Sequence, residues 1–139
     1  QVVQLPGDGW RIETSAIKQE FERHGELHRA GLGFIGKLMA QVLQTAICNR
    51  LHPIEKRLAR WLLMCRDRSE DEVLALTQQT IATALGASRV RITLAANKLH
   101  EAGLIDHTRG KITIRDRRGL EEAACCCYEL ITGLYERAV

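Results

Sequence analysis

Between Glu26 and Leu51 the apolar residues fall at Leu32, Ile35, Met39, Val42 and Ala46, with polar Asn49 next in the series, a 3-4-3-4-3 spacing. This is the a/d seam of a two-stranded helix pair, so the pattern predicts one helix over 26–51, roughly 38 Å long at 1.5 Å per residue, that dimerises along that face. Leu38, Leu43 and Ile47 flank the seam and predict a second buried face, turned toward the chain's own domain. The other reading of the pattern is a long core helix of a monomer. Gly31, Gly33 and Gly36 each lower helix propensity by up to about 1 kcal/mol relative to Ala, which weakens the first half.

Upstream, Val3, Leu5, Trp10 and Ile12 alternate weakly around Pro6-Gly7-Asp8-Gly9, predicting extended pieces that need a sheet elsewhere to pair with. Thr14-Ser15 offers an N-cap to a short helix containing Ile17, Phe21 and Glu22, with Gly25 as its stop. Downstream, His52-Pro53 ends the long helix and starts another. Ile54, Leu58, Trp61, Leu62 and Cys65 form its buried stripe, and Glu55, Lys56, Arg57 and Arg60 its opposite, solvated face. Residues 66–71 read as a charged loop, and Val73, Leu74 and Leu76 as a short strand.

Residues 77–100 carry the most specific pattern. Thr77 and Ser88 each stand where a helix cap is wanted, with Gly86 between them. A helix-turn-helix needs a small residue where its helices touch, a residue tolerant of positive φ in the turn, and aliphatics at fixed offsets. Ala82, Gly86 and Ile92 meet these needs in order, and Ile81, Leu85, Ala95 and Leu99 complete the apolar inner face. Leu104-Ile105 and Ile112-Thr113-Ile114 then alternate around residues 106–111, a hairpin where a winged helix keeps its wing. Arg109 and Lys111 at its tip are placed to meet phosphates, the plainer reading being a tip charged because tips are solvated.

Composition sharpens this picture. The chain has 139 residues, 45% hydrophobic, 27% charged and 4% aromatic, which fits one mainly helical domain and argues against an aromatic-rich β-sandwich. Net charge is +3, but residues 77–118 hold 8 Lys+Arg against 3 Asp+Glu, while 1–76 hold 11 against 10 and 119–139 hold 1 against 4. A basic surplus confined to the helix-turn-helix and hairpin suggests that a polyanion meets that face. No apolar run approaches the roughly 18 residues that span a bilayer, so no membrane contact is expected. The first residue is Gln1, which suggests a piece of a longer protein.

The 5 cysteines include consecutive Cys125, Cys126 and Cys127, a poor disulfide framework that suggests a reducing cytosol. The stripe Leu120, Ala124, Cys127, Ile131 and Leu134 predicts one helix through this region. On a helix, consecutive cysteines point about 100° apart, so the expectation is a core Cys127 with no metal bound. His24, His28, His52, His100 and His107 are dispersed and read as surface or capping groups. No catalytic constellation is present, and Gly31-x-Gly33 lacks the strand context of a phosphate loop, so an enzyme is not expected.

The order of parts resembles the Crp/Fnr family of bacterial transcription regulators over essentially the whole chain. The resemblance rests on the heptad helix, Arg57-Leu58-Ala59-Arg60-Trp61-Leu62-Leu63, Leu76-Thr77-Gln78-Gln79-Thr80-Ile81-Ala82, Leu85-Gly86, Ser88-Arg89, Leu99, Gly103-Leu104-Ile105, Ile112-Thr113-Ile114-Arg115-Asp116 and Leu120. It implies a mainly α fold with a small β-wing: residues 1–25 as the remnant of an N-terminal cyclic-nucleotide-binding-like β-barrel, 26–51 as the dimerisation helix, and 52–139 as a winged helix-turn-helix domain. The function implied is sequence-specific binding of a palindromic operator by a cytoplasmic homodimer, with 88–100 as recognition helix and RNA polymerase as a further partner.

Carried across position by position, Arg89 matches the arginine that reads guanine, and Ser88 and Arg91 match positions near phosphates. Arg suits that role because it can donate twice, to guanine O6 and N7. Val90 and Leu94 stand where the family often has an acidic and a basic reader, and are expected to touch thymine methyls or to relax the readout. Thr77, Gln78, Gln79, Arg109 and Lys111 complete the expected phosphate contacts. Members that respond to cyclic AMP place Thr-Ser where this chain has Val42 and Leu43, neither of which hydrogen-bonds through its side chain, so cyclic AMP is disfavoured, the effector is unassigned and no cofactor is expected in this piece. The alternative is a dimeric winged helix that docks protein, which the apolar pair Val90 and Leu94 favours.

Overall fold

The computed structural model describes residues 7–136, so Val3 and Leu5 lie outside the described residues. Residues 7–13 carry neither helix nor strand. Helix α1 (Thr14–Glu22) is preceded by Glu13 as cap residue, and the expected Thr14-Ser15 cap is inside the helix instead. The chain reverses at His24, whose φ of 55° is left-handed, and α1 folds back on α2 (Glu26–Leu51), the long helix with the bounds expected from the heptads. His28 Nδ1 lies 2.9 Å from the Phe21 carbonyl oxygen. A Cβ on Gly31 would stand 3.1 Å from the Phe21 ring, so this glycine keeps the crossing close.

Helix α3 (Ile54–Arg66) is the centre of the domain. It packs against α5 (Arg89–Glu101), α6 (Arg117–Ala123) and α7 (Cys127–Glu136). Leu58, Ala59, Leu62 and Leu63 are fully buried, and Ile81, Leu85, Ile92, Ala95, Leu99, Ile105, Ile112, Leu120 and Ile131 close around them. The three-stranded antiparallel sheet has the order β1 (Val73–Leu74), β3 (Lys111–Ile114), β2 (Ile105–Thr108). Leu74 pairs with Ile112, and Ile105 with Ile114. Its inward side chains Leu74, Ile105 and Ile112 are buried.

Surrounding α3 on several sides overturns half of the solvated face expected for it: Lys56 is exposed and Glu55 half-buried, but the two arginines are not. Arg57 and Arg60 are buried, 6% and 2% exposed. The Arg57 guanidinium Nη2 donates to the Leu85 carbonyl oxygen at the end of α4 (Gln78–Leu85), one of the helix-end acceptors that have no partner within their own helix. Burial pushes Arg57 below the usual arginine range. Arg60 Nη1 lies 3.7 Å from Met64 Sδ. The Nε atoms of both arginines lack a hydrogen-bond partner among the described residues.

Two further expectations are corrected. None of Leu38, Leu43 and Ile47 is buried: Leu43 and Ile47 are 60% and 49% exposed, Leu38, 41% exposed, lines an open cavity between α2, α6 and α7, and Cys48 is the buried residue of α2. A polar face takes their place, with Gln41 accepting from the Tyr135 hydroxyl (2.7 Å) and Gln44 donating to Cys127 Sγ (3.0 Å). Glycines together with Lys37, Gln41, Gln44 and Thr45 break up the apolar runs of α2 without making it polar, which corrects the expectation drawn from run length: by length and composition alone this helix is long and apolar enough to cross a membrane. The single C-terminal helix is also replaced: the chain leaves α6 at Ala124 in an extended conformation and restarts at Cys127. The break lets α7 lie across α2 and α3, with the Tyr128 hydroxyl 2.8 Å from Asp67 Oδ2 and Arg117 Nη2 2.8 Å from Asp67 Oδ1.

Replacing Arg57 strands a buried carbonyl as well as removing a side chain. Arg57→Ala is expected to lower unfolding stability by about 1.5–3 kcal/mol in denaturant titration, and Lys56→Ala, exposed one residue earlier, to change it by less than about 0.5 kcal/mol.

Candidate nucleic-acid interface

The interface is built on two capped helices held at a fixed angle. Thr77 Oγ1 accepts from the Thr80 amide (3.1 Å) and starts α4, and Ser88 Oγ accepts from the Arg91 amide (3.4 Å) and starts α5. Gly86 between them has φ 58° and ψ 43°, left-handed values that glycine adopts without the steric cost other residues bear. The Thr93 hydroxyl then donates to Gln78 Oε1 (2.8 Å) and ties the second helix to the first. On the inner side, Lys98 Nζ reaches Glu55 Oε1 (2.5 Å), fastening α5 to α3 and holding the Glu55 carboxyl below its usual range.

A groove of about 750 Å³ runs between the start of α5, the N-terminus of α4 and the wing. Thr77, Gln78, Gln79, Arg89, His107 and Arg109 line it, so the sequence-expected reader, the N-terminal phosphate contacts and one wing cation share a single concave surface. Arg89, Arg109 and Lys111 are exposed, and no hydrogen bond or ion pair engages their side chains among the described residues. Two helix N-termini facing the same groove add partial positive charge of the kind that attracts phosphate. Ser88 is exposed but occupied as a cap. Arg91 stands apart from the groove, on the flank where its charge acts on Glu55 and Arg57.

Val90 and Leu94 are exposed at 69% and 58%, an apolar strip on the outer face of α5. Asn97 is exposed and continues that strip at i+3 from Leu94, a position the sequence reading passed over although the helical repeat reaches it. His107 in the groove was likewise read only as a surface group. Arg115, by contrast, is engaged with Asp106 at 2.5 Å.

Along α2, Leu32, Ile35, Met39 and Val42 are each about half exposed (52%, 51%, 54% and 53%), and Ala46 and Asn49 are exposed with them. Every residue of the heptad seam is therefore free for a partner, together with Leu43 and Ile47 on its flank. The break between α6 and α7 has a separate consequence. Cys125 and Cys127 both turn inward and meet Cys48 and His52, the donor atoms all lying within 4.8 Å of one another, while Cys126 stays exposed. The expectation that these cysteines diverge around one helix is corrected, while His52 is the half-buried cap residue that ends α2. Burial pushes the Cys125 thiol up to about 12 and raises Cys48 as well. At Cys127 burial acts in the same direction, but hydrogen bonds from the Gln44 amide and the neighbouring thiols outweigh it and hold the thiol below its usual range.

Residues 56–123 match the sequence profile of the Crp-like helix-turn-helix domain. The fold is similar to that of FixK2 from Bradyrhizobium japonicum, with a TM-score of 0.74 and 17% identity over 83% of this chain and 60% of that one. It is also similar to a protein from Eubacterium rectale assigned to the Crp/Fnr family of transcriptional regulators (TM-score 0.64, 26% identity, 82% of this chain and 53% of that one). The catabolite activator protein of Thermus thermophilus matches with a TM-score of 0.50 and 17% identity over 75% of this chain and 49% of that one. The chain thus spans about half to three-fifths of the length of these relatives. A comparison with curated protein sequences finds no match.

The caps are the local devices that hold the groove in shape. Ser88→Ala and Thr77→Ala are each expected to cost about 1 kcal/mol in thermal or denaturant unfolding, since each removes the acceptor for an otherwise partnerless amide.

Proposed function

We propose that the chain, whose residues 56–123 match the Crp-like helix-turn-helix domain and whose fold is similar to that of Crp/Fnr transcription regulators, binds duplex DNA sequence-specifically as a homodimer, with α5 in the major groove. The observation that carries the reading is the groove in which unpaired Arg89 and Arg109 face outward beside two helix N-termini. Arg89 at the first turn of α5 reads a guanine edge, and Val90 and Leu94 lie against thymine methyls. Thr77, Gln78, Gln79, Ser88, Arg91, Arg109 and Lys111 contact phosphates and set the register. The 1–25 segment is read as the end of a barrel domain and the whole as a cytoplasmic regulator, not a catalyst, with RNA polymerase as a further partner.

The exposed apolar face of α2 suits a twin helix. Pairing along Leu32, Ile35, Met39, Val42, Ala46 and Asn49 covers the seam and places the two recognition helices in successive major grooves about 34 Å apart, on a palindromic site. That pairing, rather than a bilayer, accounts for the apolar composition of the helix, because Gln41, Gln44 and Lys37 on its other side would be costly in hydrocarbon. Val42 and Leu43 offer no side-chain hydrogen bond to a cyclic nucleotide, which disfavours cyclic AMP as the effector and leaves the effector unassigned.

Binding-site selection followed by fluorescence anisotropy tests the reading. Arg89→Ala is expected to weaken binding to the selected site by about 1–3 kcal/mol and to relax preference at one base pair per half-site. Arg109→Ala and Lys111→Ala are expected to weaken binding uniformly across sequences and to lower the salt slope by about 1 per contact. A flat salt dependence, or equal binding to random duplex by the wild type and Arg89→Ala, would sink the proposal in favour of a protein-docking surface centred on Val90 and Leu94. Val42→Glu is expected to convert the dimer to a monomer in sedimentation and to lose the preference for two half-sites over one.

A further inference from the structure

Three thiols and an imidazole converge where the long helix meets the winged helix. Cys48 and His52 are separated by one helical turn at the end of α2, so their side chains leave the same face. Cys125 comes from the link between α6 and α7 and Cys127 from the first position of α7, where the extended Ala124 and the turn at Cys126 point alternate residues inward. Elements nearly 80 residues apart in sequence thus deliver donors to one point, with Cys48 Sγ 3.4 Å from Cys125 Sγ and Cys127 Sγ 3.5 Å from His52 Nδ1.

Both separations lie close to those around a tetrahedral metal, and all four donor atoms lie within 4.8 Å of one another. With metal–sulfur bonds of about 2.3 Å and metal–nitrogen bonds of about 2.0–2.1 Å, neighbouring ligand atoms stand roughly 3.5–3.8 Å apart. A disulfide between Cys48 and Cys125 would need about 2.05 Å and would leave the third thiol and the imidazole without a role. Cys48, Cys125 and Cys127 also form a buried cluster of their own, apart from the aliphatic core, which a chain needing only small apolar filler would have had no reason to separate. Gln44 Nε2, 3.0 Å from Cys127 Sγ, supplies the outer hydrogen bond that orients a ligand. The buried guanidinium of Arg60, whose charge acts on Cys48 and Cys127, offsets the negative charge of a thiolate set.

We propose that Cys48, His52, Cys125 and Cys127 bind one zinc-class divalent cation tetrahedrally, and that this ion pins the end of α2 to the α6–α7 link. All protein positions around the ion are filled, which makes the site structural rather than catalytic. Its effect is on geometry: it holds the dimerisation helix at a set angle to the domain that carries α5.

The test uses the full chain purified under reducing, oxygen-free conditions. Elemental mass spectrometry is expected to find about one zinc per chain, and cobalt added to the metal-free protein to give the intense visible bands of tetrahedral thiolate coordination. Cys48→Ser, Cys127→Ser and His52→Ala are expected to lose or weaken both signals, whereas Cys126→Ser, beside the cluster but outside it, keeps them. Chelation is expected to lower the unfolding midpoint of the wild type and not that of Cys127→Ser. Folded wild type that takes up neither zinc nor cobalt, an octahedral cobalt spectrum, an iron–sulfur chromophore, or bands that survive in Cys127→Ser would each overturn the proposal. Wild-type metal uptake decides the matter even where a cysteine variant fails to fold.

Discussion

The burial of α3 is the constraint on which the remaining architecture depends. A helix enclosed on most sides must match α5, α6 and α7 simultaneously, so moving one of these displaces the others. Packed interiors respond to such changes in discrete steps rather than by yielding smoothly. Arg57 makes the coupling polar as well as apolar, because its guanidinium reaches across to the last carbonyl of α4. A buried charge in that position is costly unless it is satisfied, and its geometry therefore discriminates against other placements of α4.

From that frame the outer surface of the helix-turn-helix follows. Ile92, Ala95 and Leu99 turn one side of α5 into α3, and this leaves Arg89, Val90, Leu94 and Asn97 on the other side. The caps at Thr77 and Ser88, the left-handed Gly86 and the Thr93–Gln78 hydrogen bond add local constraints to the angle between α4 and α5. The wing reaches the same groove through a sheet whose inward residues belong to the core. The cations near the groove are thus presented by rigid elements, which is what recognition of a stiff polyanion requires.

The long helix is attached differently. Its contact with the domain is polar, through Gln41 and Gln44, and its apolar surface faces outward. A protein that used α2 as a core helix would show the reverse. A second attachment lies at the end of the helix, where Cys48 and His52 meet Cys125 and Cys127.

Local chemistry was sufficient to read the elements whose signals are short in range. The bounds of α2, the capped helices at Thr77 and Ser88, the turn at Gly86 and the hairpin over 105–114 follow from spacing, caps and turn residues, each acting within a few positions of itself. Which face of a helix meets another helix is not a local property, and there the reading failed in instructive ways. Arg57 and Arg60 look solvated by charge, yet α3 has neighbours on that side too. Leu38, Leu43 and Ile47 look buried by hydrophobicity, yet glutamines make the contact. The cysteine cluster was the least legible feature, since no proline or glycine marks the break between α6 and α7, and its members come from segments far apart in the chain. Periodicity and capping are written into neighbouring residues, whereas convergence of distant side chains exists only after the packing of α3 has fixed where α2 and α7 must lie.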